Sequence, residues 1–272
     1  MRRDRAGTDL TTDGAKVLEQ AVRITDAYGE LMDDLRSSSA PMIQEGSLRI
    51  AASPTLGHYW LPRALPQWQA ALPDITIETR VFPRRKSLRR LSQGRADLAL
   101  VEQPPANEDL VPERMGSHRL LATCHRSHPW AGRDSIGLAD FLRAPLVLRA
   151  PGCELRDRLE RRLRQEGHPP LRADRVVGSQ TNLLTHLHQG EHLTVTSSLA
   201  LAGGLDRELI PLPIRDLDLN LSLWAVRAPQ TPVSEGLATC LAHLRSHPVG
   251  EDPVPEHPPS VAGVPTADPL SG

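Results

Sequence analysis

Lysine is almost absent from this chain of 272 residues: Lys16 and Lys86 stand against a basic complement otherwise made of arginine, a bias of genomic composition and not of function. An excess of charge of one sign is absent too. The formal charge is −1 at pH 7, so no overall field draws the protein to nucleic acid or to a membrane surface. Cysteine is scarce. Cys124, Cys153 and Cys240 lie far apart with no Cys-x-x-Cys pair, which argues against a disulfide framework or a structural zinc site and makes a reducing compartment the expectation. No apolar run approaches the ~20 residues that span a bilayer. The opening MRRDRAGTDLTTDG has no apolar core of the kind a signal peptide carries. The reading is a soluble protein of the cytoplasm with no membrane partner.

Catalytic signatures are missing as well. Cys124 and His125 adjoin, but neighbours on a strand point to opposite faces. Ser53 sits in AASPT, without the glycines of a Gly-x-Ser-x-Gly elbow. Neither a P-loop nor a dinucleotide-type glycine fingerprint occurs. The chain is read as a non-enzyme, with no catalytic residues and no cofactor. In HLHQGEH, His188 and His192 share a helix face while His186 does not, so these are read as surface histidines and no metal ligands are assigned. In RVFPRRKSLRRLSQG, Leu88 and Leu91 supply a buried side, and Arg84, Arg85, Lys86, Arg89 and Arg90 a solvated one. Without interleaved aromatics this is weak evidence for base contact.

Residues 1–10 are polar and basic, too short for a domain. A helical pattern covers 11–37, with Val17, Ala21, Ile24, Tyr28, Leu31 and Leu35 alternating by four and three residues. That spacing is a coiled-coil seam or the face of a helix lying on its own domain; the loop SSSAPMIQEG after it detaches the helix and favours a partner, most simply an identical helix in a homodimer. From Leu48 to about Leu244, short apolar runs alternate with helical stretches near 56–71, 84–93, 138–142, 153–166, 180–189, 197–203 and 233–245. Strand candidates are Leu48–Ala52, Ile75–Val81, Leu98–Val101, Leu120–Cys124, Leu146–Arg149, Arg175–Val177, Leu193–Thr196 and Leu221–Val226. The alternation predicts an α/β fold of βαβ units with two small parallel sheets. Residues 248–272, Pro-rich and without periodicity, read as a disordered tail.

The order of segments resembles the LysR-type transcriptional regulators. LTTDGAKVLEQA is similar to the junction of that family's winged helix-turn-helix and linker helix. GSLRIAASPTLGHYWLPRALPQWQAALPDITIET resembles the opening of its effector-binding domain, and LRRLSQGRADLALVEQPP the elements that follow. SHPWAG, PLVLRAPGCELRDRLERRL and VGSQTNLLTHLHQGEHLTVTSSLAL match later landmarks in order, so the likeness covers about residues 5–247. It implies two Rossmann-like subdomains of the type II periplasmic-binding-protein kind, preceded by a long N-terminal linker helix. Subdomain I would be 46–117 plus 220–247, and subdomain II 118–219, with two crossover strands as a hinge. RRDRAGTDLTT resembles the tip of the wing. A winged helix-turn-helix needs roughly sixty residues before the linker, and only its last few precede it here, so DNA is expected as a partner of the full-length form. The chain then senses a small-molecule effector and forms a homodimer or homotetramer. Alternatives are a solute-binding protein of transport, disfavoured by the missing signal peptide and the coiled-coil helix, or a DNA-silent partner of a full-length regulator.

Open α/β sheets bind ligands where strands end and helices begin, which selects four segments. Ser53, Pro54 and Thr55 follow the first strand, where hydroxyls and free N–H groups suit an acid oxygen or merely cap the helix. The family carries hydroxyl residues at the positions of Ser53 and Thr55, which favours the ligand. Glu102 and Gln103 follow LALV; Arg149, Cys153 and Glu154 lie in RAPGCELR; Ser179, Gln180, Thr181, Thr196 and Ser197 stand at later strand ends. Many relatives place Ser or Thr in the turn where this chain has Cys153, Glu154 and Leu155. The first segment suits an anionic effector, but Glu102 and Glu154 face an anion unfavourably unless Arg149 or Arg156 neutralises them. The effector is therefore expected to be anionic with those charges met, zwitterionic or cationic at one end, or the two Glu point outward.

Overall fold

The structure, a computed structural model, describes residues 46–105, 109–217 and 219–250, and ahead of these Arg2–Asp4, Gly7–Asp9 and single helical positions from Asp13 to Met32. Leu31, Leu35 and 251–272 lie outside the described residues. Residues 1–45 and 46–272 are separate compact units. In the first, β1 (Arg2–Asp4) and β2 (Gly7–Asp9) form an antiparallel hairpin with Arg2 opposite Asp9. Val17, Ala21, Ile24 and Tyr28 are helical and exposed.

The second unit opens with β3 (Ser47–Ala52), which pairs in parallel with β4 (Thr76–Val81) and β5 (Leu98–Val101). Every residue of β5 is buried, the mark of a central strand covered on both faces. Between β3 and β4 a π-helical turn (Leu56–Trp60) runs into α1 (Leu61–Ala71), whose Leu61, Ala64 and Trp68 fall on one buried face. Leu61 N–H bonds five residues back to Leu56. Pro62 next to it has no N–H to offer, which favours the wider turn. Gly57 lets that turn lie against β4, since a Cβ there would strike Val81. Helix α2 (Arg84–Ser92) precedes β5, and its Arg90 is itself buried, contrary to the solvated face expected of it.

The sheet is mixed and not parallel. Strand β6 (Val111–His125) carries the chain out, and β13 (Asn220–Arg227) brings it back. Two strands crossing the same boundary in opposite senses must pair antiparallel, and β13 does so with both β6 and β5. Beyond Arg119, β6 changes partners to β10 (Thr194–Ser197) and β11 (Leu209–Leu212), also antiparallel. β7 (Ile136–Gly137) pairs with β12 (Ile214–Arg215), and β8 (Val147–Arg149) with β9 (Arg175–Val177). Around them pack α3 (Leu138–Arg143), α4 (Glu154–Gln165), α5 (Gln180–Leu187) and α6 (Ser198–Ala202), while α7 (Glu235–Ser246) lies on the first sheet.

The buried side chains divide accordingly. One core gathers Leu48, Trp68, Leu98, Leu223 and Leu241; another gathers Ala122, Phe141, Leu146, Leu159 and Leu212. Leu199 of α6 crosses to pack in the first core, so the two α/β halves touch as well as being joined by strands. The start of the expected tail is structured: Val249 is buried, donates to Met115 O at 2.8 Å and accepts from Ser117 N at 3.0 Å. Gly116 opposite it has φ +139°, and any Cβ there would collide with the Val249 backbone.

Candidate functional site

The hydroxyls after β3 do not cap the helix. Thr55 makes no side-chain capping bond, and Ser53 Oγ is buried without a hydrogen-bond partner. Ser53 N–H is instead held by Leu100 O at 2.9 Å, which fixes this turn beside the end of β5. Glu102 follows β5 and is buried, with neither carboxylate oxygen bonded. The Ser53 and Thr55 hydroxyls lie close enough to favour its charged form without reaching bonding geometry. Burial, then the charge of Glu154, push Glu102 up to about 7.

Glu154 opens α4 on the opposing half, so the two carboxylates meet across the seam. Burial raises Glu154 while Arg158 and Arg84 pull it down. The expected neutralisers need correction. Arg156 bonds Glu160 at 2.7 Å and Arg149 O at 2.7 Å, and Arg158 takes the role. Helix geometry explains it: Arg158 is four residues after Glu154 on the same face, whereas Arg156 is two residues on and turned away. Arg158 also donates to Glu102 O at 2.9 Å. The Gln103 amide, assigned with its oxygen towards the guanidiniums because the reverse sets donors against donors, accepts from Arg158 at 2.7 and 2.8 Å and from Arg161 at 3.2 Å. From the first half, Arg84 donates to Gln103 O at 3.3 Å and Pro104 O at 2.7 Å.

The second wall is built on β8 and β10. Arg149 donates to Gly178 O at 3.1 Å and to Gln180 Oε1 at 3.4 Å, and its Nε is buried without a partner. Its charge reaches Tyr59 on the π-helical turn, opposing the burial that raises that phenol. Thr196 Oγ1 is buried and unpartnered. Ser197 Oγ lies 2.6 Å from His118 Nδ1 and accepts from Leu199 N at 3.1 Å, capping α6. Burial, helped by Arg158, lowers His118 to about 4, so it stays neutral.

Of the residues the sequence singled out, Ser53, Thr55, Glu102, Gln103 and Glu154 converge on the seam, while Arg149, Gln180, Thr196 and Ser197 line the second half. Pro54 and Thr181 point to solvent, and Ser179 is spent capping α5 through Asn182 N at 3.2 Å. Cys153 precedes α4 without a capping bond. Arg158, His118, Tyr59, Arg84 and Arg161 were not anticipated; only Arg158, by its spacing from Glu154, left a signal. Cys124 is buried and its thiol pushed up to about 12 by burial, which leaves no thiolate beside His125. Of the histidines expected on the surface, His192 is buried, covered as the chain turns into β10. No helix among the described residues is long and apolar enough to cross a membrane.

The LysR substrate binding domain family matches residues 44–248. An uncharacterised HTH-type transcriptional regulator of Methanocaldococcus jannaschii, MJ0300, is 27% identical over 231 residues, covering 83% of this chain and 77% of that protein. The HTH-type transcriptional activator CmpR of Synechocystis is 24% identical over 239 residues, with 88% and 77% covered. Among solved structures, the CcmR regulatory domain of Synechocystis in complex with 2-PG has a TM-score of 0.66 at 22% identity, covering 76% of this chain and 99% of that one. Full-length CbnR with its target DNA gives 0.63 at 20% identity, with 90% and 83% covered. The likeness to these structures is one of fold, an α/β body. The chain belongs to the LysR-type transcriptional regulators, whose substrate-binding domain makes up most of it.

Proposed function

We propose that the protein is a cytoplasmic regulator in which lobes 46–117 plus 220–247 and 118–219 close on a small effector, without turning it over. One observation carries this reading: buried polar atoms lacking partners, Ser53 Oγ, both Glu102 oxygens, Arg149 Nε and Thr196 Oγ1, stand at the strand ends of the two lobes. Each costs about 1–3 kcal/mol while unmet, and a ligand that meets several at once repays closure. Their signs define it. Glu102 accepts from an ammonium or hydroxyl; Arg149, Ser53 and the first turn after β3 receive an acid group. The effector is therefore a small zwitterion or hydroxy acid. Likeness to the CcmR regulatory domain adds 2-PG to the candidates.

Dimerisation through the N-terminal helix belongs to the same proposal. Val17, Ile24 and Tyr28, each more than 60% exposed, repeat at the seven- and four-residue spacing of a seam. In the full-length regulator, closure biases how paired DNA-binding domains meet their half-sites. Titration calorimetry with amino acids, sulfur metabolites, carboxylic acids and 2-PG tests the effector seat. A ligand of mixed charge should bind at one per chain and weaken about tenfold or more, some 1.4 kcal/mol, in Arg149→Gln and in Glu102→Gln. Wild-type affinity in both variants would refute it.

A further inference from the structure

The segment HLHQGEH contributes one histidine to a cluster that local spacing does not reveal. His188 ends α5, His125 ends β6, and Glu208 stands just before β11. We propose that His125, His188 and Glu208 form a site for a divalent transition-metal ion of the zinc class, with Asp206 bonded to His188 at its edge. Ligand atoms of the first three lie within 4.8 Å of one another. His125 Nε2 is 3.2 Å from Glu208 Oε2, and His188 Nε2 is 2.6 Å from Asp206 Oδ2. The two imidazoles stand 5.1 Å apart at 61°.

Distances decide whether a cation fits. Zinc bonds to nitrogen and oxygen near 2.0–2.1 Å put tetrahedral ligand atoms roughly 3.3 Å apart. The His125–Glu208 pair already has that separation at 3.2 Å, and the His188 ligand atom, within 4.8 Å of both, has to close by at most about 1.5 Å. Two imidazoles and carboxylate oxygens favour zinc, nickel or copper over magnesium or calcium. The ligands are also held in place. Leu209 pairs with His125 across the β6–β11 ladder, Arg126 N donates to Glu208 O at 2.8 Å, and Glu208 N donates to Asp206 Oδ1 at 2.9 Å. Ser127 holds the His125 ring from behind, its N–H donating to Nδ1 at 3.3 Å and its Oγ lying 2.7 Å from the same atom. His188 and Glu208 are about half exposed, at 46% and 51%, so an ion has a path in. A bound ion would tie the end of α5 to two strands of the second lobe.

The test uses the full chain, stripped with chelator, titrated with Zn²⁺ by calorimetry and with Co²⁺ by visible absorption. One ion per chain, a four-coordinate cobalt band and a zinc-dependent rise in Tm are expected. His188→Gln and Glu208→Gln, both at exposed positions and checked by circular dichroism, should each weaken zinc about tenfold or more and abolish the band. His186→Gln in the same segment, and His247→Gln in the stacked pair with His243, should change neither. Absence of saturable binding overturns the proposal. So does wild-type affinity in His188→Gln and Glu208→Gln, or weak uptake spread over the histidines at large, the sign of an adventitious ion only.

Discussion

Glu102 and His118 are buried on the same seam and respond to pH in opposite ways. The folded protein holds Glu102 at about 7 against an ordinary 4.5, so its contribution to stability is present below about pH 4.5 and is lost as pH rises through 7. His118 sits at about 4 against 6.5, so its contribution is present above 6.5 and is lost as pH falls through 4. Together the two limbs balance at about pH 5.5, where their summed contribution is largest. Glu102→Gln removes the alkaline limb: chemical denaturation at pH 8 should show a gain of up to about 3 kcal/mol, shrinking towards zero at pH 5. Arg158→Gln should act in the other sense. It removes the largest compensating charge of Glu154 and the closest donors of Gln103, with Arg84 and Arg161 remaining, and should cost about 1–3 kcal/mol, more at pH 8 than at pH 5. In the double variant with Glu102→Gln part of that loss should return, because the two sites share Glu154 and are not additive.

At the scale of elements, legibility followed periodicity. Helices α1, α2, α4 and α5 were readable because their buried residues recur every three or four positions, as with Leu61, Ala64 and Trp68. The first half of β6, PERMGSHR, was not: Arg114, Gly116 and Arg119 break the apolar signal, and pairing to β13 holds it extended anyway. Sheet direction was equally hidden, since it depends on the crossing of β6 and β13 and not on any local run. The histidine cluster draws its ligands from three separate elements, so no spacing could announce it. Two variants probe the elements themselves. Trp68→Ala empties the core under α1 and should cost about 3–5 kcal/mol in urea denaturation. Gly116→Ala forces Val249 off the sheet edge at a positive φ and should cost about 1–3 kcal/mol. A Gly116→Ala protein as stable as the wild type would mean that the Val249 bridge is dispensable.

Across the whole molecule, the family's α/β body was legible from the order of weak landmarks, and the family match over 44–248 agrees with it. The partners inside the seam were only half legible. Strand-end residues such as Ser53 and Glu102 can be read from a sequence, whereas the arginines that answer them depend on which helix faces meet. Association belongs to this scale too. Ile24→Asp places a charge in the exposed apolar stripe of the N-terminal helix, and sedimentation velocity should show the dimer population collapsing towards monomer. The most direct measurement of the central claim is amide hydrogen exchange on the protein saturated with its tightest ligand from the calorimetric panel. Exchange should slow on both walls at once, in 53–59 and in 149–158. Slowing on one wall alone, or on neither, would contradict a ligand seated between the lobes.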